Sequence, residues 1–169
     1  MTLTTHGVAG AAVAALVPTH PILGFVFGFA SHFALDSIPH WAEGPALLRS
    51  VVKDPHNKLN TRVRPGMDMV HDILVVLTDS AIGFALSLLI LSYFFHVPVF
   101  IVLLGAFAGQ MPDGLQFVYW NTRLKIMDGL QRFHGRIQEE HEDMTYLGIE
   151  VGIILAVVAL GVLGVFMLQ

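Results

Sequence analysis

His32 and Asp36 lie four residues apart in S-H-F-A-L-D-S-I-P-H-W, Ser31 to Trp41, where an apolar run ends. On a helix that spacing stacks an imidazole and a carboxylate one turn apart on one face, and His40 follows just past Pro39, which ends the helix. Such a pair can hold a metal ion or share an ordinary hydrogen bond. The chain has no cysteine, so thiolate nucleophiles, disulfides and Cys-ligated zinc are excluded and any metal must be held by His, Asp or Glu. Nine histidines supply donors, and position has to separate ligands from bystanders.

The elements that must position these residues are apolar. Of the 169 residues 54% are hydrophobic and 13% charged, against roughly 25% charged in a soluble domain, so the bilayer is the first candidate solvent. A net charge of −4, with no basic stretch interleaved with aromatics, gives no case for nucleic acid. The expected fold is an all-α, polytopic integral membrane protein forming one domain. Apolar helices are expected over 3–17, 22–38, 67–95, 99–111 and 146–168, with one amphipathic interfacial helix over 121–143. The first run would be about 22 Å long as a helix, short of the ~30 Å hydrocarbon core. It lacks a basic n-region and an A-x-A site and reads as retained.

The P-T-H-P turn, Pro18 to Pro21, is expected to reverse the chain into a hairpin; the rival is one kinked span over 7–38, which puts His6 on the opposite side from Asp36. Pro112 and Asp113 are expected to close the fourth helix. Gly24 and Gly28, Gly105 and Gly109, and Gly148 and Gly152 are four apart, the spacing that lets membrane helices approach closely. The loop over 39–66 carries Arg49, Lys53, Lys58, Arg62 and Arg64 against Glu43 and Asp54. Such a basic loop is expected to face the cytoplasm, and the expected location is the cell inner membrane. In the polar segment 121–143, Ile126, Leu130, Phe133 and Ile137 recur at helical spacing, a stripe turned into the membrane surface.

With a hairpin, one side of the membrane holds His6, His32, Asp36, His40, Asp68, His71, Asp72, Asp113, His134, His141 and Glu150, and the other only His20 and His96. On the third helix Asp68, His71, Asp72 and Asp79 fall within an arc of about 100°. An Asp at the centre of a span costs roughly 2.5–3.5 kcal/mol, so Asp79 needs a partner, such as Ser31 or Thr78, or a function. Imidazoles and carboxylates together suit zinc first, with manganese or iron as alternatives, or a two-metal site, leaving a coordination position for water. His71 or Asp72 would then be the general base, the catalytic pair.

Four pieces, H-G-V-A-G-A from His6, H-F-A-L-D-S-I-P-H from His32, G-A-F-A-G-Q-M-P-D from Gly105 and F-H-G-R from Phe133, resemble the small membrane-bound metal-dependent hydrolases. The pieces cover about a quarter of the chain. The resemblance implies metal-binding roles for His6, His32, Asp36, Asp113 and His134. Two departures stand out: one acid follows Pro112 where that family tends to show P-D-x-D, and the H-x-x-x-D helix precedes the P-D helix.

The expected function is a membrane-embedded metal-dependent hydrolase with its site at the cytoplasmic face, acting on a lipid headgroup ester or phosphodiester. Its partners would be membrane lipid and a lipid or small-molecule substrate, and a homo-oligomer is compatible with the glycine faces. Two alternatives belong to other classes: an ion- or solute-handling transporter with Asp79 as relay, and a non-catalytic assembly protein using the glycine pairs and the acidic run over 139–143.

Overall fold

Small residues put the first helix at the centre of the molecule. The computed structural model describes residues 1–41, 48–54, 58–138, 140–141 and 145–167. In it α1 (Leu3–Ala15) reads L-T-T-H-G-V-A-G-A-A-V-A-A and is buried at Thr5 to Ala12, Ala14 and Ala15. A helix of Gly and Ala is narrow, so others can close on every side of it. Those others are α2 (Pro21–Asp36), α3 (Met67–Ser87), α4 (Val99–Thr122) and α6 (Thr145–Met167), all packed against α1. The short α5 (Asp128–Ile137) lies across the end of α2.

Glycines set how near these helices come. A Cβ added to Gly105 would meet Gly10 O at 2.6 Å, and one added to Gly28 would meet Gly105 O at 3.1 Å. The pairs Gly24/Gly28 and Gly105/Gly109 therefore line helix crossings. The pair Gly148/Gly152 does not: a Cβ at either meets nothing within 4 Å. α6 instead brings Gly161 against Ala12 and Gly164 against Leu16. Four-residue spacing marks a face able to pack, while the surrounding chain decides whether a partner arrives.

Gly24 faces Ala14 and Gly28 faces Gly10 O, so the chain reverses at Pro18 to Pro21 and α2 runs antiparallel to α1. α6 runs parallel to α1, with Glu150 beside Thr2 and Gly161 beside Ala12.

Two expected boundaries are corrected. α4 does not close at Pro112 but continues to Thr122 with Pro112 inside it and buried. The turns beyond carry Leu115, Phe117 and Tyr119, of which Tyr119 is buried, and the helix runs on through the proline. Residues 121–143 are not one helix either. Arg123, in the left-handed conformation with φ 56°, ends α4; a 3₁₀ turn at Lys125–Met127 follows, then α5. α5 turns Gln131 and His134 inward and leaves Phe133 exposed. Glu43, the 139 and 142–143 parts of the acidic run, and residue 168 lie outside the described residues.

The chain is thus all-helical, with strands among the described residues only as two-residue pairs. β1 (His40–Trp41) runs parallel with β4 (Glu140–His141), and β2 (Val51–Val52) antiparallel with β3 (Arg62–Val63). The first pair ties the chain after α5 to the end of α2. α3 continues as π-helical turns over Leu88–Phe94. The stretches Met67–Phe94 and Val99–Thr122 are long and apolar enough to cross a membrane; Leu3–Ala15, Pro21–Asp36 and Gly148–Gly164 are shorter apolar helices.

Asp79 finds its partners on α1 rather than at Ser31 or Thr78. Its carboxylate accepts from Leu3 N at 2.6 Å and Thr4 N at 3.2 Å. Ser31 and Thr78 donate instead to Gly28 O and Leu74 O of their own helices. From the other flank Glu150 Oε1 accepts from Thr2 N at 2.6 Å and Thr5 Oγ at 2.7 Å. Two acids from neighbouring helices thus satisfy amides that α1 cannot, at its positive end. Asp79→Ala should therefore lower stability by about 1–2 kcal/mol, the scale of a lost N-cap. Thermal melting of the detergent-solubilised protein measures it, and an unchanged midpoint would contradict the capping role.

Candidate metal centre

Five elements converge on the carboxylate of Asp36. The last turn of α2 supplies His32 and Asp36, one turn apart and fully buried. α1 brings His6, α4 brings Asp113, α5 brings His134, and His40 follows α2 across Pro39. Ring contacts dock α5: Phe133 meets Phe33 edge-on at 5.2 Å, and Phe33 meets the His134 ring at 5.5 Å. These contacts aim His134 at the end of α2.

Nε2 of His134 donates to Asp36 Oδ2 at 2.8 Å, and His32 Nε2 is 3.3 Å from the same oxygen. Asp113 Oδ1 lies 3.6 Å from His32 Nε2 and 3.8 Å from His134 Nε2. One ligand atom each from His32, Asp36, Asp113 and His134 falls within 4.8 Å of the other three, a group that could hold a metal ion.

Backbone carbonyls orient two of the imidazoles, those of His32 and His40. His32 Nδ1 lies 2.8 Å from Gly109 O. A carbonyl can only accept, so Nδ1 carries a proton and Nε2 is the ring nitrogen turned to the cluster. Pro112, which has no N–H to return to Ala108 O, lies in the same turn of α4 as Gly109, with Asp113 next to it. His40 Nδ1 donates likewise to Ile38 O at 2.8 Å, aiming Nε2 toward Asp36. A carbonyl fixing the remote ring nitrogen is the usual outer partner of a ligating histidine.

The centre is closed except at one side. His32, Asp36 and His134 have side chains 0–1% exposed, whereas Asp113 is 25% exposed. A ligand from outside would reach the cluster past Asp113.

Of the metal ligands expected from sequence, His32, Asp36, Asp113 and His134 fall in the four-donor group, and His6 lies outside it on the far oxygen of Asp36, Nε2 3.1 Å from Oδ1. His71 and Asp72, the expected catalytic pair, are not brought into it. Asp72 accepts from Arg49 N at 2.9 Å, Ser50 N at 2.7 Å and Ser50 Oγ at 2.6 Å, and faces His71 Nδ1 at 3.1 Å. Its oxygens hold the loop after α2, and His71 lines an open groove on the outside of α3. Helical arc placed them on one polar stripe, but a stripe fixes only a direction, and two elements point the same way to different partners. Asp72→Ala should release the Arg49–Ser50 loop and cost about 1–3 kcal/mol, as for a buried acceptor lost from its donors. Metal content should be unchanged. Elemental analysis beside a melting curve tests both halves.

His40 stands four residues after Asp36, past the proline that ends the helix. The chain bends past the proline and still returns the ring. No known protein family, curated protein or solved structure matches this chain, so the geometry alone carries the functional reading.

Proposed function

We propose that this chain is a polytopic membrane protein and a metal-dependent hydrolase. The observation that carries the reading is the His32, Asp36, Asp113, His134 group, buried on three members and open at the fourth. Purely structural zinc sites are closed and rich in cysteine, while catalytic sites use imidazole and carboxylate and keep one side accessible. A divalent ion, zinc first and manganese or iron as alternatives, would polarise an acyl or phosphoryl oxygen and make bound water more acidic. His32, Asp36 and His134 would hold it. Asp113, at the open side, would orient water and take up its proton.

The membrane reading rests on the inverted distribution of residues. Glycine, alanine, histidine and aspartate fill the centre, while Ile22, Leu74, Leu77, Phe100 and Leu155 are exposed on different helices. Exposed apolar surface on every side suits lipid. The basic loop over 39–66 follows α2 at the end where the site lies, which supports a cytoplasmic site in the inner membrane. A substrate entering past Asp113 would be a lipid headgroup ester or phosphodiester. A transport reading draws on Asp79, whose carboxylate is engaged by Leu3 and Thr4, and this favours hydrolysis.

The test is release of water-soluble headgroup from lipids by the protein in nanodiscs. Activity should vanish with chelator, return with added metal and fall at least about a hundredfold in His134→Ala, beyond the range of outer-shell changes. Metal-loaded protein inert toward ester and phosphoester lipids alike would overturn the reading.

A further inference from the structure

We infer that Asp36 bridges two divalent cations, the second held by His6 Nε2, His40 Nε2 and Asp36 Oδ1. This rests on the metal-centre reading above and narrows its chemistry. Each oxygen of Asp36 has its own pair of imidazoles: Oδ2 faces His134 at 2.8 Å and His32 at 3.3 Å, whereas Oδ1 faces His6 at 3.1 Å and His40 at 3.9 Å. The four-donor group uses the first pair only.

The rings of His6 and His32 are stacked, centroids 3.9 Å apart and planes 27° from parallel. Their Nε2 atoms consequently approach the two oxygens of one carboxylate side by side. Two-metal sites hold their ions about 3.5–4 Å apart, so the ring spacing matches the ion spacing such a bridge produces.

A core histidine of ordinary structural role hydrogen-bonds through at least one ring nitrogen. His6 is fully buried; its Nδ1 has no hydrogen-bond partner, and its Nε2 and Asp36 Oδ1 have none but each other, 3.1 Å apart without well-aligned hydrogen-bond geometry. Donor atoms left in this condition, aimed at one another across 3.1 Å, are what a cation between them would satisfy. His40, held through Nδ1 by Ile38 O, supplies a third donor.

Paired cations select substrate. They clamp the attacking and leaving oxygens of an in-line displacement at phosphorus, which favours a phosphoester over a carboxylic ester. In that reaction water oxygen bonds to phosphorus, the P–O bond to the alcohol breaks, and one water proton passes to the departing alkoxide. The products are a phosphomonoester and an alcohol when a phosphodiester enters past Asp113.

Loading detergent-purified protein with Mn²⁺ tests the bridge. Wild type should bind two equivalents and give an exchange-coupled spin-resonance spectrum; His6→Ala and His40→Ala should each bind one and give the six-line spectrum of isolated Mn²⁺. One equivalent in wild type, lost in His134→Ala, would overturn the bridge and leave the single-metal reading standing. No bound Mn²⁺, zinc or iron in wild type would overturn both. Should His6→Ala fail to fold, His40→Ala, beyond the helix end, and the wild-type spectrum still decide.

Discussion

Asp36→Asn is expected to give a folded protein that binds almost no metal. Asparagine keeps the shape of the side chain but removes its charge and turns one oxygen into an amide nitrogen that only donates. His32, His134, His6 and His40 all address that carboxylate at 2.8–3.9 Å, so no other residue can take its place. Metal content should drop to background and headgroup hydrolysis at least about a hundredfold. Asp36→Ala goes further, leaving His134 without its acceptor in a buried site, which costs about 3–5 kcal/mol when one partner of a buried pair is removed. The two variants separate roles: melting should be near that of metal-free wild type for asparagine and well below it for alanine. Asparagine protein with a full complement of metal would remove Asp36 from the centre.

The second large effect concerns a residue with no side chain. Gly109→Ala places a methyl group against the backbone oxygen of His6 and 3.2 Å from Gly10 Cα. Neither neighbour is a flexible side-chain tip, so α1 and α4 must move apart. Overpacking of this kind costs about 1–3 kcal/mol. The shift also displaces His6 and the Gly109 carbonyl that orients His32, so metal should be lost with stability. Gly152→Ala, with open space around it, should be neutral or gain up to about 1 kcal/mol of helix propensity. Equal melting shifts in the two variants would contradict the packing.

Local rules made much of this legible from the residues alone. Helical spacing puts His32 and Asp36 on one face, and the prolines at 18 and 21 turn the chain so that His6 returns to Asp36. What stayed hidden depends on neighbours distant in sequence. A proline reads as a stop because its cost is local, and nothing near Pro112 reveals the packing that carries α4 on to Thr122. Asp72 and Asp113 are alike as residues; only the arrival of Ser50 at one and His32 at the other divides a loop anchor from a site donor. Asp79 looked like a charge in need of function because its partners, amides of α1, are not visible as a side-chain pattern.

The caps on α1 also set a timetable for biogenesis. α1 precedes α3 and α6 in the chain, yet the acids that satisfy its amino end lie on those two helices. At about 5–20 residues per second, synthesis of the stretch from His6 to Glu150 takes roughly 7–29 s. Throughout that interval the helix that will become the centre has uncapped amides and is too short to span on its own. Until both acids are made, the amino end of α1 has no partner for these amides and cannot reach the packing it has in the finished bundle. Because His6 is carried on α1, the seating of that helix by Asp79 and Glu150 also fixes when His6 comes up to Asp36.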